Sequence, residues 1–348
     1  MRIELFLPPA AVAFVIAGVG CLVFYGWSRF FARHWRKGSR HEGKEHISRF
    51  GGLALLLAFV GAVSLDEHLV LTREIAGLLV GGTFIALVGL WDDFHELSFK
   101  AQGFFQVAVT LIVFIFGIRI STIKNPFGDV LVLPDQGVWP ILLGFILLLF
   151  WMVLVVNAVN WLDGLDGLLG SVSLIVFAII FFLSLKPEVN QPPVALLACA
   201  AFGAVLGFLL FNLHPARIMA GTAGSFLVGF LIATLAVIAG TKIATALMVL
   251  ILPVTDALFV IGARLRAGVS IFEADERHLH YRLRALGWGE RQIVAFFILL
   301  TGSIGLLSLA TVALGKFVTF LLVLTLVLSF LFWVERELGR KEHVTSSV

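Results

Sequence analysis

Charged residues are scarce in this chain. Of its 348 residues, 14% are charged and 60% are hydrophobic. A soluble domain of this length needs far more polar surface to cover its core, so soluble enzymes and soluble binding modules are excluded. Cysteine is nearly absent: Cys21 and Cys199 are the only two, each inside an apolar run. This rules out a disulfide framework or a thiolate metal site. There is no low-complexity linker, no repeat of 20–50 residues and no inverted repeat of the transporter kind. The first apolar run, about 5–27, is too long for a signal-peptide core and no small-residue cleavage site follows it closely, so it reads as a retained span. The net charge of +3 is modest, and no nucleic-acid partner is expected.

What is present is a series of apolar segments. A membrane-crossing helix needs roughly 20 apolar residues, and eleven segments come near that length: 5–27, 50–64, 75–91, 103–118, 138–157, 169–185, 193–211, 221–239, 241–261, 293–314 and 317–334. The tight break at Gly240-Thr241-Lys242 would make the count ten if the eighth and ninth are one. The predicted fold is an all-α polytopic membrane bundle with about 11 (10–11) transmembrane helices, forming one integral domain over 1–348. Of the 25 Lys and Arg residues, 18 fall in loops 28–49, 92–102, 158–168, 212–220, 262–292 and the tail from Glu335. Basic loops favour the cytoplasm. These loops are therefore expected inside the cell, with the N-terminus out, the C-terminus in and the chain in the inner (cytoplasmic) membrane. The 28–49 cluster would also suit anionic headgroups.

The dense polar clusters all fall on that same side. They are GLWDDFHELSFKAQ (89–102), NAVNWLDGLDGL (157–168), FNLHPARIMAGTAGS (211–225) and the loop 262–286. One-sided clustering speaks against a transport path and for a site where a soluble substrate meets a lipid. Adjacent Asp92 and Asp93 repel unless a cation or proton intervenes. On a helix only one of them can face a given point, so one could bind a hard divalent ion while the other orients; the plain alternative is a solvated pair ending the span. Asn157, Asn160, Asp163 and Asp166 recur every third residue along a slowly turning stripe, with Gly164 and Gly167 able to open the backbone. They read as hydrogen-bonding groups for a sugar or base, or as Asx turns at a helix end. Imidazoles among arginines at 277–284 suit a diphosphate, or a basic interfacial loop. The glycines around Thr222 suit either an anion at a helix start or close helix packing.

Taken together, these motifs resemble the polyprenyl-phosphate N-acetylhexosamine-1-phosphate transferase family. The matching features are the DD pair, NAxNxxDGxDGL, FNxxPAxI followed by GxxGS, PVxD at 253–256, RLRxGxSxFxAD at 264–275 before HxH, and KEHISRFGGLA at 44–54. The likeness covers about 44 to 284, and the loops are closer to the N-acetylglucosamine-1-phosphate branch than to the phospho-N-acetylmuramoyl-pentapeptide translocase. The resemblance implies attack of a polyprenyl phosphate on the β-phosphate of a UDP-N-acetylhexosamine, releasing UMP, with Mg²⁺, or Mn²⁺ in its place. It also implies homodimers. By the same likeness Asp92, Asp93, Lys100, His278 and His280 would be catalytic. Lys44, Asn157, Asn160, Asp163, Gly164, Leu165, Asp166, Asn212, Arg264 and Arg282 would bind substrate, and Asp92, Asp93, Asp166 and position 222 would hold the metal. Three positions depart from the family pattern: Thr222 stands where an Asp is usual, Gln102 where a basic residue is often found, and Tyr281 where a third His would complete HxHH. The threonine removes a formal charge from the metal set. It leaves open a catalytically weakened member, an altered-metal enzyme, a chain substituted to trap a state, and a binding or regulatory protein without turnover.

Overall fold

The computed structural model describes residues 3–31, 47–125, 127–134, 136–240, 243–270, 277–311 and 313–346. A 3₁₀ turn, Ile3–Phe6, leads into α1 (Leu7–Phe31), followed by α2 (Gly51–Leu65), α3 (Arg73–His95) and α4 (Phe99–Ile115). A small antiparallel pair, β1 (Thr122–Lys124) and β2 (Val130–Val132), pairs Ile123 with Leu131. Then come α5 (Val138–Asn160), α6 (Leu168–Ser184), α7 (Pro192–Asn212) and α8 (Gly221–Ile238). The chain continues with α9 (Ile243–Val249), α10 (Ile251–Ala267), α11 (Leu279–Ala285), α12 (Glu290–Ala310) and α13 (Ala313–Ser346). The sequence marks the starts with hydroxyl caps: Thr72 Oγ1 accepts from Ile75 N and Ser98 Oγ from Ala101 N, each serving an amide the helix leaves unpaired.

Every predicted apolar segment overlaps a helix, and the chain is an all-α multi-pass membrane protein. Among the described residues seven helices are long and apolar enough to cross a bilayer, or eight if the bent pair α9–α10 is one span. The predicted ninth segment, 241–261, is not one straight helix: α9 and α10 meet at 77°. Pro253 explains this. It has no N–H for the carbonyl of Val249, and its ring presses on that turn. The break at 240–242 is a turn at Gly240, with Thr241 and Lys242 outside the described residues. The last predicted segment runs on, as α13 stays helical well past Glu335.

The bundle is arranged around α8. Within the apolar stretch of α8, 89% of residues are buried, against 17% for α13 at the rim. α8 packs against α2, α3 and α5, while α1 lies across α2 and α7. Lipid gives little drive for apolar helices to associate, so such contacts depend on small residues that let backbones approach. Gly89 of α3 is one such close approach: a Cβ there would lie 2.5 Å from Ala223 Cα and 2.7 Å from Thr222 C. The start of α8 is thereby pressed onto the end of α3. Connectivity gathers the C-terminal ends of α3, α5 and α7 and the N-terminal ends of α2, α4, α6, α8 and α12 at one end of the bundle.

Gly89→Ala should destabilise the protein in detergent by about 1–3 kcal/mol, the range for overpacking. Gly103→Ala in α4, where a Cβ would meet nothing within 4 Å, should be neutral or stabilising. Thermal unfolding of the two variants side by side checks this; equal midpoints would mean the α3–α8 contact is not tight.

Candidate active site

The acidic pair lies at the end of α3, both residues buried, Asp92 at 3% and Asp93 at 9% exposure. Their partners differ in kind. Asp93 Oδ1 accepts the amide of Thr222 at 2.8 Å, and its Oδ2 accepts the amide of Ala223 at 3.1 Å. A carboxylate thus caps the first turn of α8, where amides lack partners and the helix dipole is positive. Gly221 is required here. Its φ is +65°, and a Cβ would lie 2.5 Å from Asp93 Oδ2. Asp92 instead meets mostly side chains. Gln102 Nε2 donates to Oδ1 at 2.8 Å, as does the amide of Leu97 at 2.8 Å, and Thr222 Oγ1 donates to Oδ2 at 2.7 Å. The Arg49 guanidinium, itself buried, exerts a Coulombic pull on Asp93.

The asparagine stripe of α5 joins this end of the bundle together. Asn157 exchanges hydrogen bonds with Gln106 of α4, at 2.9 and 3.3 Å, and also donates to Val153 O. Asn160 Oδ1 accepts Ser225 Oγ at 2.6 Å, linking α5 to the first turns of α8. A 3₁₀ turn, Trp161–Gly164, follows, with Asp163 and Leu165 buried. Gly164 is closely covered: a Cβ there would lie 2.4 Å from His280 Nε2 and 2.9 Å from Tyr281 Oη. Trp161 stacks on His278 at 4.9 Å, and the rings of His278 and His280 are parallel at 6.1 Å. Asn212 accepts the amide of Gly167 and donates to Ile218 O. It fastens the end of the DGLDG turn to the α7–α8 loop.

His278 Nδ1 lies 2.9 Å from Asp256 Oδ2 of α10, so its Nε2 faces away from that carboxylate. Asp256 Oδ1 also accepts the Leu279 amide and Arg282 Nη2 at 2.8 Å. Arg282 therefore forms a buried pair inside the protein, with a second, more exposed partner in Glu335. Arg264 is buried in the last turn of α10.

The predicted residues fall in three linked groups: Asp92, Asp93 and Thr222; Asn157 through Leu165 with His278 and His280; and Asp166 with Asn212. Asp166 does not join the acidic pair. Its carboxylate meets His214 Nδ1 and the Ala216 amide. Lys100 is exposed over the Phe99 ring, and Gln102 occupies the place beside Asp92. Lys44 lies outside the described residues. Sequence reasoning did not single out Gln106, Ser225, Asp256, His214 or Glu290 as site residues. The PVxD and FNxxPA motifs carried the signal for Asp256 and His214, whereas Gln106 and Ser225 become visible only as partners of the stripe. For the Mg²⁺ implied above, Asp92, Asp93 and Thr222 offer oxygens alone, the donor type that ion takes. Every carboxylate oxygen there already has a protein donor, and threonine brings no charge. The set suits an ion shared with substrate phosphates better than a tightly resident one.

Residues 75–240 match the Glycosyl transferase family 4. A Bacillus subtilis protein described as "Probable undecaprenyl-phosphate N-acetylglucosaminyl 1-phosphate transferase" is 30% identical over 288 residues, 80% of this chain and 78% of its own. A Mycobacterium tuberculosis decaprenyl-phosphate N-acetylglucosaminephosphotransferase is 32% identical over 285 residues, 73% of this chain and 69% of its own. A Geobacillus kaustophilus phospho-N-acetylmuramoyl-pentapeptide-transferase is 32% identical over 278 residues, 74% of this chain and 81% of its own. With the acidic pair, the DGLDG turn and the histidine pair at one end of such a bundle, the chain belongs to glycosyl transferase family 4.

Proposed function

We propose that the protein transfers N-acetylglucosamine 1-phosphate from UDP-N-acetylglucosamine to a polyprenyl phosphate, opening the synthesis of a cell-envelope glycan. The observation that carries this is one connected polar network, from Asp92 through Thr222, Ser225 and Asn160 to the turn beneath His280, in a chain whose relatives bear such names. A lipid phosphate oxygen attacks the β-phosphorus, forming a new P–O bond. The bond to the bridging oxygen breaks, and UMP leaves with the electron pair.

Asp93 is held by backbone amides and so orients α8. Asp92 is held largely by side chains that can rotate, which makes it the group able to take a proton from the lipid phosphate. His278 and His280 face the diphosphate, and the DGLDG turn faces the nucleotide. Mg²⁺, held by Asp92 and Thr222 together with substrate phosphates, would supply charge neutralisation. Phosphoryl transfer depends mostly on such positioning and charge balance.

The network end faces the cytoplasm, because 18 of the 25 basic residues lie in the loops on that side. The N-terminus is then outside and the C-terminus inside. All eleven segments cross the inner membrane. The short helices α2, α4 and α6 have 15, 17 and 17 residues. They span roughly 22–26 Å at ~1.5 Å per residue and complete the crossing with their flanking loops and local thinning.

The purified protein, given UDP-N-acetylglucosamine, undecaprenyl phosphate and Mg²⁺, should release UMP in step with lipid-linked sugar. Bound UDP-sugar with no UMP release would instead identify a binding protein, the reading Thr222 opens. Thr222→Asp puts a third carboxylate against Asp92, and like charges about 4 Å apart repel by about 4 kcal/mol at an effective dielectric of ~20. In EDTA this variant should melt below the wild type and recover with Mg²⁺. Its half-saturating Mg²⁺ should fall about tenfold, a shift of ~1.4 kcal/mol. Identical Mg²⁺ dependence in the two proteins would separate position 222 from the metal.

A further inference from the structure

Outside the acidic pair, a second cluster gathers three metal-ligand side chains, two of which, His214 and Glu290, have no role in the reaction described. Asp166, at the end of the DGLDG turn, His214, in the α7–α8 loop, and Glu290, the first residue of α12, bring one donor atom each within 4.8 Å of one another. Among the described residues this is the only group of three such side chains that could hold a metal ion. The geometry is unusual for an ordinary ion pair. His214 Nδ1 is 3.1 Å from Asp166 Oδ2 and 2.7 Å from Glu290 Oε2. One ring nitrogen carries at most one proton, so it cannot satisfy two carboxylates fully. Asp166 Oδ2 has the Ala216 amide as a further donor. Glu290 Oε2 is buried, and despite its nearness to His214 it lacks a hydrogen-bond partner with acceptable geometry among the described residues. The other oxygen of Glu290 has Arg284 Nη1 beside it at 3.4 Å.

Two carboxylate oxygens and an imidazole nitrogen converging on one point draw a positive charge, which a proton on the ring or a metal ion between them can supply. We infer that Asp166, His214 and Glu290 form a binding site for a first-row divalent transition metal of the Zn²⁺ or Mn²⁺ class. One nitrogen and two carboxylate donors suit those ions, whereas Mg²⁺ prefers oxygen and retained water. The side chain of His214 is 41% exposed, which leaves water access to complete the coordination. The three ligands come from segments far apart in sequence. A metal would tie the start of α12 to the DGLDG turn and to the loop that leads into Thr222. It would act as a positioning staple beside the reaction site. The inference does not rest on the substrate assigned above, since metal binding is read without substrate.

The test uses full-length, tag-free protein stripped with EDTA, with Mn²⁺ as probe and Zn²⁺ as competitor. Paramagnetic resonance should count one Mn²⁺ per chain, with nitrogen modulation in the electron spin echo from His214, and Zn²⁺ should displace it. His214→Gln should abolish the modulation, and His214→Gln and Glu290→Gln should each weaken Mn²⁺ binding about tenfold or more, as losses around metal sites do. Asp92→Asn should leave affinity within about twofold. If His214→Gln does not fold, Glu290→Gln decides alone, because its side chain keeps the same size at a helix start. Absence of Mn²⁺ and Zn²⁺ binding would overturn the proposal and leave a histidine shared between two carboxylates. Binding without nitrogen modulation, or binding lost in Asp92→Asn and kept in Glu290→Gln, would overturn it too.

Discussion

The arrangement depends on one carboxylate at the foot of the most buried helix. Asp93 takes the amides of Thr222 and Ala223, so the first turn of α8 is satisfied by α3 where water is scarce. Unpaired amides at that depth would each cost a few kcal/mol, and an isolated buried carboxylate would cost more. Each makes the other tolerable. The contact also dictates its neighbours. Gly221 must lack a side chain because the carboxylate fills that space, and Gly89 must be small because α8 begins against it. Once α8 is seated, Thr222 reaches Asp92 and Ser225 reaches Asn160 without further adjustment.

Much of the polar stripe acts as structural glue, leaving the chemistry to fewer groups. Asn157 is engaged by Gln106 across helices, and Asn212 clamps two loops. Amides between helices are fixed more readily than charges, since they need no desolvated counterion. The buried charges are treated differently. Asp256 is surrounded by His278, Arg282 and a backbone amide. Such a cluster rigidifies when fully satisfied, and here it sets the ring of His278 flat against Trp161. The histidine pair is therefore aimed from beneath by α10 and from the side by the turn after α5.

The apolar helices and the gathering of the polar motifs at one end of the bundle were legible in the sequence, because hydropathy and charge position are local properties. So was the difference in direction between Asp92 and Asp93, which follows from the 100° step of a helix and gives them different partners. Which acid meets which partners was not legible, since it depends on where α8 arrives, and that is set by Gly89 of α3 and Gly221 of α8. The same limit explains Asp166. Its spacing put it in register with the asparagines, yet the 3₁₀ turn and Gly167 rotate it toward the α7–α8 loop and away from the acidic pair. Pro253 was visible in the sequence, but the unbroken apolar run around it hid the bend between α9 and α10. Glu290 looked only like the polar start of a span, and nothing in its flanks pointed to residues more than 70 positions earlier.

Thr222 gathers these strands. A neutral hydroxyl that donates to Asp92 completes a network in which the two carboxyl groups are met by amides, Gln102, Thr222 and the pull of Arg49. A carboxylate at 222 would accept where the hydroxyl donates. It would remove one partner from Asp92 and set a further acidic group against it, which a proton or a cation would have to offset. Threonine therefore moves the point at which positive charge is needed. With threonine there, the donors that meet Asp92 and Asp93 are the protein's own. That difference links the stability of α8's first turn to the charge of whatever binds above it.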